Sequence, residues 1–119
     1  MRKRRETWYN RVKECVRAYP LQNAAMDAIE QARIAGETPP AEAEVSETQQ
    51  SERDAVTKAI NMTLDLEYGK HRLAVIDMVF WSRTHTIAGA ARACFVSERT
   101  AQRWQSEFFR CVASHLGLT

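Results

Sequence analysis

Along most of the chain apolar residues return every three or four positions, and no run of β-branched residues alternates in the way a strand requires. Trp8, Val12, Cys15/Val16 and Tyr19 predict an amphipathic helix from about Thr7 that stops near Pro20. Leu21, Ala25, Ala28/Ile29 and Ala32 predict a second helix over 21–34, with Gly36 as its stop. Together they make an N-terminal helical hairpin over residues 1–36. It is too small to be stable alone, so it is expected to dock on the remainder or on a second subunit. Residues 37–50, with Pro39-Pro40, repeated acids and little apolar bulk, read as a linker. Ser51, followed three residues later by Asp54, reads as a helix cap, and Val56, Ile60 and Thr63/Leu64 carry that helix to Tyr68-Gly69. Gly69 marks a break or kink. Leu73 to Trp81 is apolar nearly all round, which places it in the middle of a bundle, with Asp77 expected at a rim or beside an arginine.

The last third carries the most informative pattern. Thr86 can cap a run of small residues, Ile87-Ala88-Gly89-Ala90-Ala91, whose backbone can approach a neighbouring helix closely. Ser97 offers a second cap, and Glu98 suits the positive end of the following helix. From there Ala101, Trp104, Phe108, Cys111 and Val112 form an inner face, while Arg99, Gln102, Arg103 and Arg110 fall opposite. Small helix, turn, Ser cap and apolar stripe backed by Arg and Gln together read as a helix-turn-helix whose second helix, 98–113, fits a DNA major groove. The turn usually wants Gly, because one residue there commonly takes a positive φ. Phe95 fills that slot, so either the turn is wider or the Phe95 ring is buried and holds an unusual backbone.

Charge sharpens this picture. A net charge of +2 hides a segregation in which residues 1–34 hold eight basic and four acidic side chains. Residues 35–69 hold two basic and eight acidic, and residues 70–119 seven basic and three acidic. Basic ends around an acidic middle suit ends that approach phosphate. The tail Arg2-Lys3-Arg4-Arg5 is either a phosphate contact or a frayed end. Cys15, Cys94 and Cys111 are far apart and on apolar faces, which points to a reducing, cytoplasmic setting, and His71, His85 and His115 stand alone in sequence. No metal site, cofactor or small-molecule substrate is expected. Neither is an enzyme, since no Gly-rich phosphate loop and no Ser/His/Asp arrangement stands out. No run has signal-peptide or membrane length, so no membrane partner is expected.

Residues Ser51 to Leu118 resemble the phage late-gene transcriptional regulators of the RinA/ArpU type, whose C-terminal domain is similar to the region-4 helix-turn-helix of sigma factors. The likeness rests on Val75-Ile76-Asp77-Met78-Val79-Phe80-Trp81, on Thr86-Ile87-Ala88-Gly89-Ala90-Ala91, on Val96 to Trp104, and on His115-Leu116-Gly117. The pattern along the chain predicts an all-α fold of three parts, the hairpin (1–36), the acidic linker (37–50) and a C-terminal helix-turn-helix domain (51–119), and this layout also looks like that family. The resemblance implies double-stranded DNA as partner at a phage promoter in a bacterial host, activation of late genes, and contact with RNA polymerase.

By the usual layout of such a motif, Arg99, Gln102 and Arg103 are expected to read base edges. Thr86, Arg92, Ser97, Ser106 and Arg110 are placed at the phosphate backbone or at the groove rim, with Glu98 as a cap residue. Trp104 is assigned to the core. The apolar face of Trp8, Val12, Val16 and Tyr19 is expected either to pair two subunits into a homodimer or to leave the second grip to polymerase. Two alternatives stand beside this reading: a small terminase-type DNA-packaging subunit, and a sigma-like adaptor that binds polymerase without touching DNA.

Overall fold

Helix follows helix through residues 7–39 and 44–118, which the computed structural model describes. Five helices run in the order α1 (Tyr9–Ala35), α2 (Glu47–Leu64), α3 (Gly69–Ile76), α4 (Ile87–Ala93) and α5 (Glu98–His115) among the described residues. The all-α expectation holds. The basic tail at 2–5 and the middle of the expected linker, 40–43, lie outside the described residues.

The predicted N-terminal hairpin is not formed. α1 is one helix of 27 residues with Pro20 inside it. Proline has no N–H to give the carbonyl four residues back, which would ordinarily leave the Val16 oxygen orphaned. The Trp81 indole N–H donates to that oxygen at 2.8 Å, so a tertiary contact replaces the missing helical bond. The helix ends where expected. Gly36 takes φ 72°, and the N–H groups of Gly36 and Glu37 return to Arg33 and Ala32 in a Schellman closure. Leu21, expected on an inner face, is 80% exposed.

α2 begins four residues before the predicted cap. Ser46, not Ser51, accepts from the Gln49 N–H, and the Gln49 side chain accepts from the Ser46 N–H, which closes a capping box. The linker therefore shrinks from its C-terminal side. At the far end, Gly69 is required by contact: a Cβ there would lie 2.5 Å from the Thr63 carbonyl oxygen and 2.8 Å from that of Leu64. That close approach lets α3 turn back directly over the end of α2.

Two cores result. The larger joins Val12, Cys15 and Val16 of α1 to Ala55, Val56 and Ala59 of α2, to Ile76 and Phe80, and to Phe108, Phe109 and Val112 of α5. Phe109 is at its centre, with ring centroids 5.3 Å from Tyr9 and 5.2 Å from Phe80. So the first half of α1 belongs to the same core as the C-terminal helices, and the face of Trp8, Val12, Val16 and Tyr19 is spent within the chain. Between α1 and α2, Tyr19 Oη meets Thr57 Oγ1 at 3.2 Å and the Arg53 guanidinium holds Asn23 Oδ1. Past Ile76, α3 continues as a π-helical turn, Asp77–Trp81. Asp77 lies at the rim, where its carboxylate accepts from Ser82 Oγ.

The smaller core, Val75, Ala90, Ala91, Cys94, Ala101 and Trp104, lies beneath α3, α4 and α5. Alanines on both facing helices let α4 and α5 come together with little side chain between them. Trp104, at 3% exposure, is core as expected.

Candidate nucleic-acid interface

Both cap residues of the predicted motif do what their side chains suggest. Thr86 Oγ1 accepts from the Gly89 N–H at 3.1 Å, and Ser97 Oγ accepts from the Thr100 N–H at 3.1 Å. The Ser97 hydroxyl also donates to Thr100 Oγ1 at 2.9 Å, so its hydrogen-bonding capacity is largely used within its own turn. Glu98 lies in the first turn of α5, where a negative charge is favoured.

Between the caps, the turn is a Schellman closure built on Phe95. The Phe95 N–H returns to the Arg92 carbonyl at 3.1 Å and the Val96 N–H to that of Ala91 at 3.0 Å. Phe95 takes φ 58°, the conformation the glycine slot demands. Its ring, however, is 95% exposed. Of the two expected explanations neither holds: the turn is not widened, and the backbone is held by its own hydrogen bonds rather than by a buried ring.

From Ser97 onward the periodicity of α5 decides what points outward. Arg99, Gln102, Arg103, Ser106 and Arg110 are all exposed and fall within one side of the helix. Arg99 and Arg103 are one turn apart, whereas Arg110 lies about 17 Å from Arg99 along the axis. That separation divides a compact group at the N-terminal end of α5 from a distant cation. Arg92 is exposed in the last turn of α4, and Thr86 is a whole helix away from Ser97. Gln102 Nε2 reaches Glu98 Oε1 at 3.5 Å, and Arg103 Nε stands 3.9 Å from Glu107 Oε1. Both contacts are long and exposed, so they hold these side chains weakly.

A residue the sequence did not single out supports this stripe from behind. Arg72, at the start of α3, pairs with the Glu107 carboxylate, donates to the Glu67 carbonyl at 2.9 Å, and lies 5.6 Å over the Trp104 ring. One carboxylate thus faces two guanidiniums, that of Arg72 and, more loosely, that of Arg103. The only signal for Arg72 in the sequence was its place after Gly69, which says nothing about a partner 35 residues away. On the other flank of α5, Gln105 Nε2 donates to Tyr9 Oη at 3.1 Å and fixes the start of α1 beside it.

Among the described residues no three His, Cys, Asp or Glu side chains converge as a metal site would require. His115 Nε2 lies 3.1 Å from Met62 Sδ. No helix among the described residues is long and apolar enough to cross a membrane. Comparison of the chain with family models, with curated proteins and with solved structures found no match.

Proposed function

We propose that this chain is a sequence-specific DNA-binding transcriptional regulator of the phage RinA/ArpU type, an activator of late genes that reads the major groove with α5. One observation carries the proposal: a capped helix behind a tight turn presents Arg99, Gln102 and Arg103 together, exposed and without a strong partner among the described residues. Guanidiniums are suited to bidentate contact with guanine and a carboxamide to contact with adenine. Arg92, Ser106 and Arg110, together with the Thr86 and Ser97 hydroxyls, fall to the phosphates or the groove rim and set register without reading sequence. Of these, Arg92 and Arg110 are the stronger candidates, because the two hydroxyls already cap helices.

Selection of bound sequences from random duplex DNA with the purified protein tests this reading. A defined motif is expected, with binding that weakens as salt rises in proportion to the phosphates engaged. Arg103→Ala is expected to cost about 1–3 kcal/mol of binding and to relax preference at one base pair. Unchanged affinity and preference in that variant would remove Arg103 from the reading group, and a selection that enriches nothing would remove the function.

A second reading, an adaptor that contacts polymerase, is favoured by one observation, the bare Phe95 ring at the tip of the turn. Phe95→Ser separates the two. A regulator that works by DNA contact alone keeps its DNA affinity and its activation of a reporter, whereas an adaptor that binds polymerase without touching DNA shows no DNA binding and loses activation.

A further inference from the structure

Near the C-terminal end of α5, away from the Arg99–Arg110 stripe, two sulfur atoms and an imidazole nitrogen come together. Met62 Sδ of α2 lies 3.9 Å from Cys111 Sγ and 3.1 Å from His115 Nε2. Cys111 and His115 are one turn apart on α5, so their side chains rise from the same side of the helix. Met62 and His115 are exposed and Cys111 is half-buried, which leaves the group open to solvent.

The geometry points to a three-donor site for a soft monovalent metal ion, Cu(I), held by the Cys111 thiolate, the Met62 thioether and the His115 imidazole. Thiolate and thioether sulfur select Cu(I), whereas Zn(II) favours thiolate, imidazole and carboxylate in a tetrahedral set. Here there is one thiolate, and Glu107, the carboxylate that lines a cavity with Met62 and Cys111, is already paired with Arg72. With metal–sulfur and metal–nitrogen bonds of about 2.3 and 2.1 Å, three donors in a plane stand about 4 Å from one another. The sulfur pair already has that spacing. The His115–Met62 pair opens by less than about 1 Å, through rotation of two exposed side chains. On binding, the Cys111 thiol releases its proton to solvent and His115 carries its own on Nδ1, leaving Nε2 to coordinate. No electron is transferred, because copper enters as Cu(I). The ion would fasten the last turn of α5 to α2.

The test is an anaerobic titration of the full chain with Cu(I) held by a chromophoric chelator. Withdrawal of one equivalent per chain is expected, with a rise in Tm as the bound form gains stability. Met62→Leu preserves shape and removes only the thioether; it and His115→Gln are each expected to weaken binding by about tenfold or more, and Cys111→Ser to abolish it. Circular dichroism of the variants checks that they remain folded. Retention of full affinity by a folded Met62→Leu protein would mean that the thioether is not a ligand, and the three-donor site would be rejected. So would failure of the wild-type chain to withdraw any copper.

Discussion

Phe95 holds a left-handed backbone and an exposed ring at the same position. The first costs about 1 kcal/mol relative to glycine, and the second recovers almost nothing by burial. Phe95→Gly is therefore expected to raise stability by about 1 kcal/mol, seen as a Tm higher by a few degrees. A lower Tm would mean that the ring stabilises the turn in a way its exposure does not suggest. Cys15 is a contrasting residue: fully buried, with its thiol donating to Glu52 at 2.6 Å. Burial first, then the hydrogen bond to Glu52, push its pKa from the ordinary 9.0 to about 12. The unfolded chain therefore gives up this proton near pH 9 while the folded one retains it. The stability this thiol contributes is whole below pH 9 and falls as pH rises towards 12. Denaturant midpoints from pH 8 to 11 should fall more steeply for the wild type than for Cys15→Ala; parallel curves would contradict the assignment.

At the scale of elements, α1 depends on a partner outside itself. With Pro20 in place, the Trp81 indole supplies the donor that the Val16 carbonyl would otherwise take from residue 20, so Trp81→Phe removes that bond at a cost of about 1–3 kcal/mol, beyond lost packing. Pro20→Ala restores a backbone donor to the same oxygen. A double-mutant cycle is therefore expected to show coupling, with Trp81→Phe costing less in the Pro20→Ala background. Additive effects would mean that the two residues do not share that carbonyl. The same reasoning explains how much of each element the sequence discloses. The Thr86 and Ser97 caps were legible because a hydroxyl before a helical run acts on N–H groups within three residues. The N-terminal hairpin was misread because the Trp81 donor lies 65 residues from the carbonyl it satisfies. The Ser46 cap is hidden in the sequence for a different reason. The polar stretch Glu47–Gln50 has no apolar stripe, and a helix held by its own capping box there gives no hydrophobic signal.

Across the whole molecule, the larger core unites parts that composition separates. Val12, Cys15 and Val16 pack with Phe109 and Val112, so a fragment of residues 44–119 would expose much of that core. Such a fragment is expected to lack a cooperative unfolding transition, measurable by circular dichroism, and a sharp transition would establish an independent C-terminal domain. Trp104→Ala should cost about 3–5 kcal/mol, because the ring closes the smaller core and carries Arg72 above it. A folded variant of normal Tm would mean the ring is dispensable to that core.

The helical periods, the two capped helices of the motif, the inner placement of Trp104 and the outward side of α5 follow from the sequence alone. Each depends on residues three or four apart, whose relation is set by helix geometry whatever the rest of the chain does. The tertiary structure alone decided that Pro20 lies inside a helix, that α1 closes the larger core, that Arg72 supports the stripe through Glu107, and that Met62 meets Cys111 and His115. These rest on contacts between residues tens of positions apart, and a one-dimensional pattern carries no record of which distant side chain fills a given space.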